Sequence, residues 1–213
     1  MRKCENEKMR KFLLYILLLM PLLAVAQKQA QPQGQTQTAL SRFLQKMDRT
    51  TFRAKFTLTI AETAAHPQTH SGRITMRGQQ FYISLFNTEA SYDGKTFYIY
   101  SPETKELTMS APTRDELLES NPLLYARELS KVCKVSEKPT NAGTTIITLV
   151  PKDQSKGVQR FELTLKTATL MPVTLEVKEG ASYTRITFRE GKFSDDKPVF
   201  VLQRKNATII DLR

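Results

Sequence analysis

YDGKTFYIYSP, residues 92–102, is the stretch on which the fold turns. Asp93-Gly94 is a hairpin-turn dipeptide, because glycine accepts the positive φ that primed turns require. A strand follows it. Thr96, Tyr98 and Tyr100 point one way, Phe97 and Ile99 the other. Ser101-Pro102 ends the run, since proline donates nothing to a central ladder.

Working outward, the alternation continues on both sides. Phe52, Ala54, Phe56, Leu58 and Ile60 alternate with Thr51, Arg53, Lys55, Thr57 and Thr59, which is the pattern of a half-buried strand. Ile74 and Met76, then Phe81, Ile83 and Leu85, repeat it, and Leu107 and Met109 hold another short strand. Short links between these strands predict an antiparallel meander. Further strands are predicted near 131–136, 144–150, 158–166, 172–178, 182–190 and 198–203, with Ile209 and Ile210 closing the chain. About ten twisted strands in one sheet tend to curl.

Helical spacing occurs in two places. Leu40, Phe43, Leu44 and Met47 follow at i, i+3, i+4 and i+7 and form one apolar stripe. Thr113 and Glu116 form a capping box that opens a helix with Leu117 and Leu118. Asn121-Pro122 interrupts it and starts a second helix with Leu123, Leu124, Ala126 and Leu129. The expected fold is mainly β with helices (α+β). It is a strongly curved antiparallel sheet, an incomplete β-barrel, whose concave apolar face the helices cover.

Residues 1–26 read as a signal peptide. Arg2, Lys3, Lys8, Arg10 and Lys11 form a basic start, Phe12 to Val25 an apolar run, and Ala24-Val25-Ala26 a cleavage site. An uncleaved anchor is the alternative, but the run is short for a bilayer span. Residues 27–38, rich in Gln, Pro and Gly, read as a flexible tether, and 39–213 as a single domain. The chain carries a formal net charge of +11. Its Lys and Arg are scattered singly along strands rather than massed in runs. Most of these charges read as a solvated basic surface, with anionic lipid or an acidic partner as the alternative, and export makes nucleic acid an unsuitable partner.

Catalytic patterns are missing. His66 and His70 are spaced for a metal only if helical, and Pro67 lies between them. No P-loop, dinucleotide fingerprint or nucleophile elbow occurs. Cys133 stands alone after cleavage and reads as a buried small hydrophobe. No enzyme, metal or cofactor is expected.

The order of these features resembles that of the LolA-type periplasmic carriers of outer-membrane lipoproteins, over essentially the whole exported chain. The resemblance rests on the DGK hairpin, on NPLLYAR at 121–127, ITLVPK at 147–152, FELTL at 161–165, Met171-Pro172 and YTRITF at 183–188. It implies an apolar hollow, lidded by helices, that shelters lipoprotein acyl chains between the two membranes. It also implies an inner-membrane ABC-type releasing complex and an outer-membrane acceptor as partners, with a monomer as the working form. The same scaffold also serves lipid-binding or envelope-sensing modules that deliver nothing, and fold does not fix function.

The candidate lining is Phe52, Phe56, Leu58, Ile60, Ile74, Met76, Phe81, Ile83, Leu85, Phe97, Ile99 and Met109. The candidate lid is Leu40, Phe43, Leu44, Met47, Leu117, Leu118, Leu123 and Leu124. Any closed core would use the same residues. In the family an Arg-Pro pair after the second strand bonds to the lid. Here the region reads Met76-Arg77-Gly78, so Arg77 is the candidate for that bond, without the proline.

Overall fold

The computed structural model describes residues 37–62, 66–152 and 158–213. The leader, residues 1–26, and most of the tether, residues 27–36, lie outside these described residues. Helix α1 spans Ala39–Arg49 and leads into strands β1 (Thr51–Ala61), β2 (Gln68–Arg77), β3 (Gln80–Leu85), β4 (Thr88–Tyr92), β5 (Phe97–Ser101) and β6 (Glu106–Ser110). Helices α2 (Arg114–Ser120) and α3 (Pro122–Val132) follow. The chain then returns to strands: β7 (Cys133–Pro139), β8 (Thr144–Pro151), β9 (Val158–Lys166), β10 (Pro172–Glu179), β11 (Ser182–Ser194) and β12 (Thr208–Asp211).

All twelve strands belong to one sheet, ordered β12-β6-β5-β4-β3-β2-β1-β11-β10-β9-β8-β7. The two meanders join at its centre, where β1 pairs with β11. This corrects the expected architecture. The sheet is open, its edge strands β12 and β7 do not meet, and it is not the strongly curled, incomplete barrel. A large sheet can hide an apolar face by curling on itself or by taking on another layer. Here the helices supply that layer: Leu40, Phe43, Met47, Leu123, Leu124, Ala126 and Leu129 are buried in one cluster with the strand residues of the inner face.

The quoted hairpin joins β4 to β5, with Tyr92 opposite Phe97. Gly94 takes φ +103°, and the Asp93 carboxylate accepts from the amides of Lys95 (2.9 Å) and Thr96 (2.8 Å). Phe97 faces the helices and Tyr98 the opposite side, as the alternation requires. Strand β4 itself went unread. It is set off by a turn at Phe86-Asn87, where both residues have positive φ (53° and 55°). Such a turn normally announces itself by glycine or asparagine at its first position, and Phe86 gives no such signal.

The predicted strand at 198–203 is a second correction. Its alternation exists, with Phe200 and Leu202 buried and Val199 and Val201 exposed. Yet the segment joins no ladder. It is a strap that leads from β11 across the outer face to β12, which pairs parallel with β6. The Thr51 hydroxyl donates to the Asp196 carbonyl (2.5 Å), the Ser91 hydroxyl donates to the Phe200 carbonyl (2.6 Å), and Arg204 pairs with Glu89. Leu202 packs with Tyr98 and Leu107 in a small core of its own.

Candidate functional site

The candidate site is the apolar layer between the sheet and its helices. Helix α1 has a stripe of Leu40, Phe43 and Met47, all buried, with Leu44 half-buried beside them. Its first turn holds no acidic residue. Thr38 caps it locally by accepting from the Ser41 amide (3.1 Å), and the negative charge comes from a distant strand. The Glu137 carboxylate on β7 accepts from the amides of Ala39 (2.8 Å) and Leu40 (2.9 Å). Free amides at a helix N-terminus favour such a partner.

The other end of α1 is held on the far side of the face. The Gly78 amide, just past β2, donates to the Met47 carbonyl (2.8 Å). Asp48 pairs with Arg127 of α3 at 2.7 Å. Lys46 donates to the Thr169 carbonyl (3.0 Å), and its ammonium lies 4.3 Å from the centre of the Phe193 ring. Helix α1 is therefore an apolar bar laid over the sheet, with polar contacts at its ends.

Helices α2 and α3 meet at Asn121, which is fully buried. Its Oδ1 accepts from the amides of Leu123 (3.0 Å) and Leu124 (3.4 Å), and its Nδ2 donates to the Met76 sulfur (3.7 Å). One side chain thus caps α3 and ties the joint between the two helices to β2. The capping box at α2 forms as read: the Thr113 hydroxyl accepts from the Glu116 amide (3.3 Å), and the Glu116 carboxylate accepts from the Thr113 amide (2.7 Å). Glu119 is buried in α2, and burial, then the nearby Asp115 and Glu116, pushes its carboxyl above the usual range.

Most of the candidate residues come together. Phe52, Phe56, Leu58, Ile74, Met76, Phe81, Ile83 and Phe97 lie buried in the cluster that holds Leu40, Phe43, Met47, Leu123 and Leu124. Ile60, Leu85, Leu44, Leu117 and Leu118 are half-buried against it. Ile99 points to the same side as Phe97 but is 38% exposed. Met109 lies on the other face, against Tyr98, Leu107 and Leu202. The described bond of Arg77 goes to the Asp196 carbonyl (3.3 Å), and the contact to the helix is made by the Gly78 amide instead.

Sequence reasoning passed over the second meander's share of the layer. Ile147, Leu149, Phe161, Leu163, Leu165 and Leu175 are all fully buried. Tyr125 of α3 meets the Phe161 ring edge-on, 6.3 Å between centres. The alternation in 144–150 and 158–166 carried the signal, and only the pairing of β1 with β11 shows that both halves share one face.

The layer is apolar and closely packed. Among the described residues no three His, Cys, Asp or Glu side chains converge as metal ligands. His70 sits edge-on to Phe86, 4.4 Å between ring centres. Burial pushes the Cys133 thiol up, away from the reactive thiolate. No helix among the described residues is long and apolar enough to cross a membrane.

Residues 44–181 match the profile of a family described as "Outer membrane lipoprotein carrier protein LolA". No curated protein matches the chain. Among solved structures, an uncharacterized conserved protein from Thermus thermophilus is similar at TM-score 0.54 and 14% identity, covering 82% of this chain and 99% of that one. At that identity the likeness shows the fold alone. A LolA superfamily protein from Nitrosomonas europaea aligns at TM-score 0.39 and 10% identity, over 78% of this chain and 99% of its own. A putative outer membrane lipoprotein-sorting protein domain from Vibrio parahaemolyticus aligns at 0.38 and 11%, over 75% and 92%.

Proposed function

The chain belongs to the LolA family of outer membrane lipoprotein carrier proteins, and from that premise we propose that it shelters lipoprotein acyl chains between its sheet and its helices. The family is one of periplasmic carriers, not of enzymes. One observation supports the finer reading most: a continuous apolar layer is covered by helices whose connections to the sheet include a few polar contacts at their ends.

An acyl chain in water costs about 0.8 kcal/mol per methylene, so on the order of 10 kcal/mol for a long chain. Each polar contact at the rim is worth about 1 kcal/mol or less. Moving the helices aside exposes Phe81, Met76, Leu58 and their neighbours, and an acyl chain replaces the contacts that Phe43 and Met47 made. Apolar contacts have little directional demand, which lets the load leave again. The leader at 1–26 delivers the chain to the periplasm. Loading at an inner-membrane ABC-type complex, release to an outer-membrane acceptor, and a monomeric carrier complete the proposal.

The test is native mass spectrometry of protein purified from periplasm without detergent, followed by a solubility assay. A triacylated lipoprotein in complex, kept soluble in detergent-free buffer, is the expected result. Failure to keep any lipoprotein soluble overturns the reading. Bound free lipid without lipoprotein replaces it with the lipid-binding or sensing alternative.

A further inference from the structure

The face turned away from the helices carries a second surface. Strand pairing puts Lys55 directly opposite Arg73 on one side and Arg189 on the other, in one row over β2, β1 and β11. On the next rung Arg53 stands opposite Lys192. Like charges directly opposite each other destabilise a sheet, so the row carries a cost that the fold does not require. A bulge at Glu190, with φ +51°, gives Lys55 one carboxylate at 2.7 Å. Asp196 answers Arg53 at 2.5 Å. None of the ion pairs among the described residues includes Arg73 or Arg189, and both side chains are exposed.

Lys55, Arg73 and Arg189 border a hollow of about 440 Å³, whose wall also holds Thr57, Ser71 and Ser84, the Phe56 ring and Glu190, the carboxylate already paired with Lys55. Cations and hydroxyls together are the donor set of a phosphate site. Next to it runs the strap. A smaller hollow, lined by Arg53, Thr75 and residues 198–202, lies under the strap on the same face. The strap turns Phe200 and Leu202 into the sheet and sends Val199 outward, 84% exposed, with Val201 beside it.

We propose that this outer face docks on an anionic phospholipid bilayer. The Lys55, Arg73 and Arg189 row takes headgroup phosphates, and Val199 and Val201 enter the headgroup–acyl boundary. Single protruding aliphatics on the same face as a row of cations fit a fluid interface, where each side chain finds its own depth. A protein partner would instead be matched by a packed apolar patch with a polar rim. This docking does not depend on what the chain carries, and it leaves the helical face free.

The test is co-sedimentation of the chain from Gln27 onward, which holds every described element, with phosphatidylcholine vesicles with and without phosphatidylglycerol. Binding to the anionic vesicles alone, weakening as salt rises, is expected. Each cation at an anionic surface is worth about a fivefold change in partitioning. The double variant Arg73→Gln, Arg189→Gln is therefore expected to bind about twenty-five-fold more weakly, and Val199→Asp severalfold more weakly. Lys134→Gln on the edge strand β7 is expected to bind as the parent does. Circular dichroism checks that each variant is folded. Equal binding to both vesicle types, or parent-like binding by folded variants, overturns the proposal. Capture by soluble polyglutamate without vesicle binding also overturns it and assigns the row to an acidic protein.

Discussion

The two faces of the sheet are built from the same strands, one residue out of step, and they solve opposite problems. On the inner face Phe52, Leu58, Met76, Phe81 and Leu163 are buried under helices. On the outer face Arg53, Lys55, Thr75 and Tyr82 meet a hydrogen-bonded strap and open water. The inner layer is held by packing that any apolar body of similar shape could supply. The outer layer is held by directed bonds such as Ser91 to Phe200 and Arg204 to Glu89, which no apolar body can replace. The proposed sheltering of acyl chains needs that asymmetry, with one face able to exchange its contacts while the other keeps the sheet intact.

Truncation on each face breaks the comparison if it is wrong. Phe81→Ala removes a fully buried ring whose neighbours are Tyr92 and Phe97, each 6.1 Å away between centres. The expected loss is about 3–5 kcal/mol in denaturant unfolding. Tyr82→Phe, one residue along and on the other face, removes only the hydroxyl that donates to Glu89 at 2.8 Å. Its expected loss is about 1 kcal/mol. Comparable losses from the two changes would mean that the faces do not differ in this way.

A smaller effect is expected where the helices are joined to the inner face. Asn121→Ala removes the cap of α3 and the contact to Met76 together, and it leaves the amides of Leu123 and Leu124 without their acceptor. The expected cost is about 1–3 kcal/mol. Hydrogen exchange in α2 and α3 is expected to rise more than in β1 and β11. Uniform acceleration across the sheet would show that Asn121 supports the core as a whole and not the helix joint.

Glu137→Ala comes next. It strips the carboxylate from the N-terminus of α1, and the expected loss is about 1 kcal/mol. Amides at the start of α1 are expected to exchange faster, while those near Met47 stay protected through Gly78 and Arg127. If both ends of α1 loosen equally, the helix is fastened by its packed face, and the polar contacts at its ends are incidental.

Local chemistry made much of this legible. The stripe of α1, the Thr113 capping box, the Asn121-Pro122 break and the alternation of β1 all follow from short-range pattern. Three features did not follow, each for a long-range reason. Glu137 caps a helix 97 and 98 residues away in sequence, which no window reveals. The strap has a strand's alternation because it lies on a surface, and burial on one side produces period two with or without a ladder. The number of strands was read as a signal to curl, but a sheet whose apolar side is taken by helices has no need to close. Within the site, the first meander's residues were found, but the register that sets Phe161 and Leu163 beside them was not. Met109 and Ile99 alternate correctly, yet alternation alone does not say which face the helices reach.

The smallest effect sharpens the contrast through pH. On the outer face the Arg53 guanidinium and the Ser194 hydroxyl hold the exposed Asp196 carboxyl well below the usual range. Such a group adds stability above its unfolded pKa and loses it as pH falls through the folded one. In the helical layer Glu119, 7% exposed, is shifted the other way by burial first and then by Asp115 and Glu116. The folded state binds its proton more tightly than the unfolded state does. Its contribution is therefore fully present below the unfolded pKa and is lost as pH rises through the raised one. Glu119→Gln is then expected to stabilise the protein near pH 7, by under about 1 kcal/mol, and to make no difference near pH 4, where the parent carboxyl is also neutral. Unfolding curves at the two pH values decide it. A variant that is less stable than the parent at neutral pH would mean that the Glu119 carboxylate is held by a favourable partner.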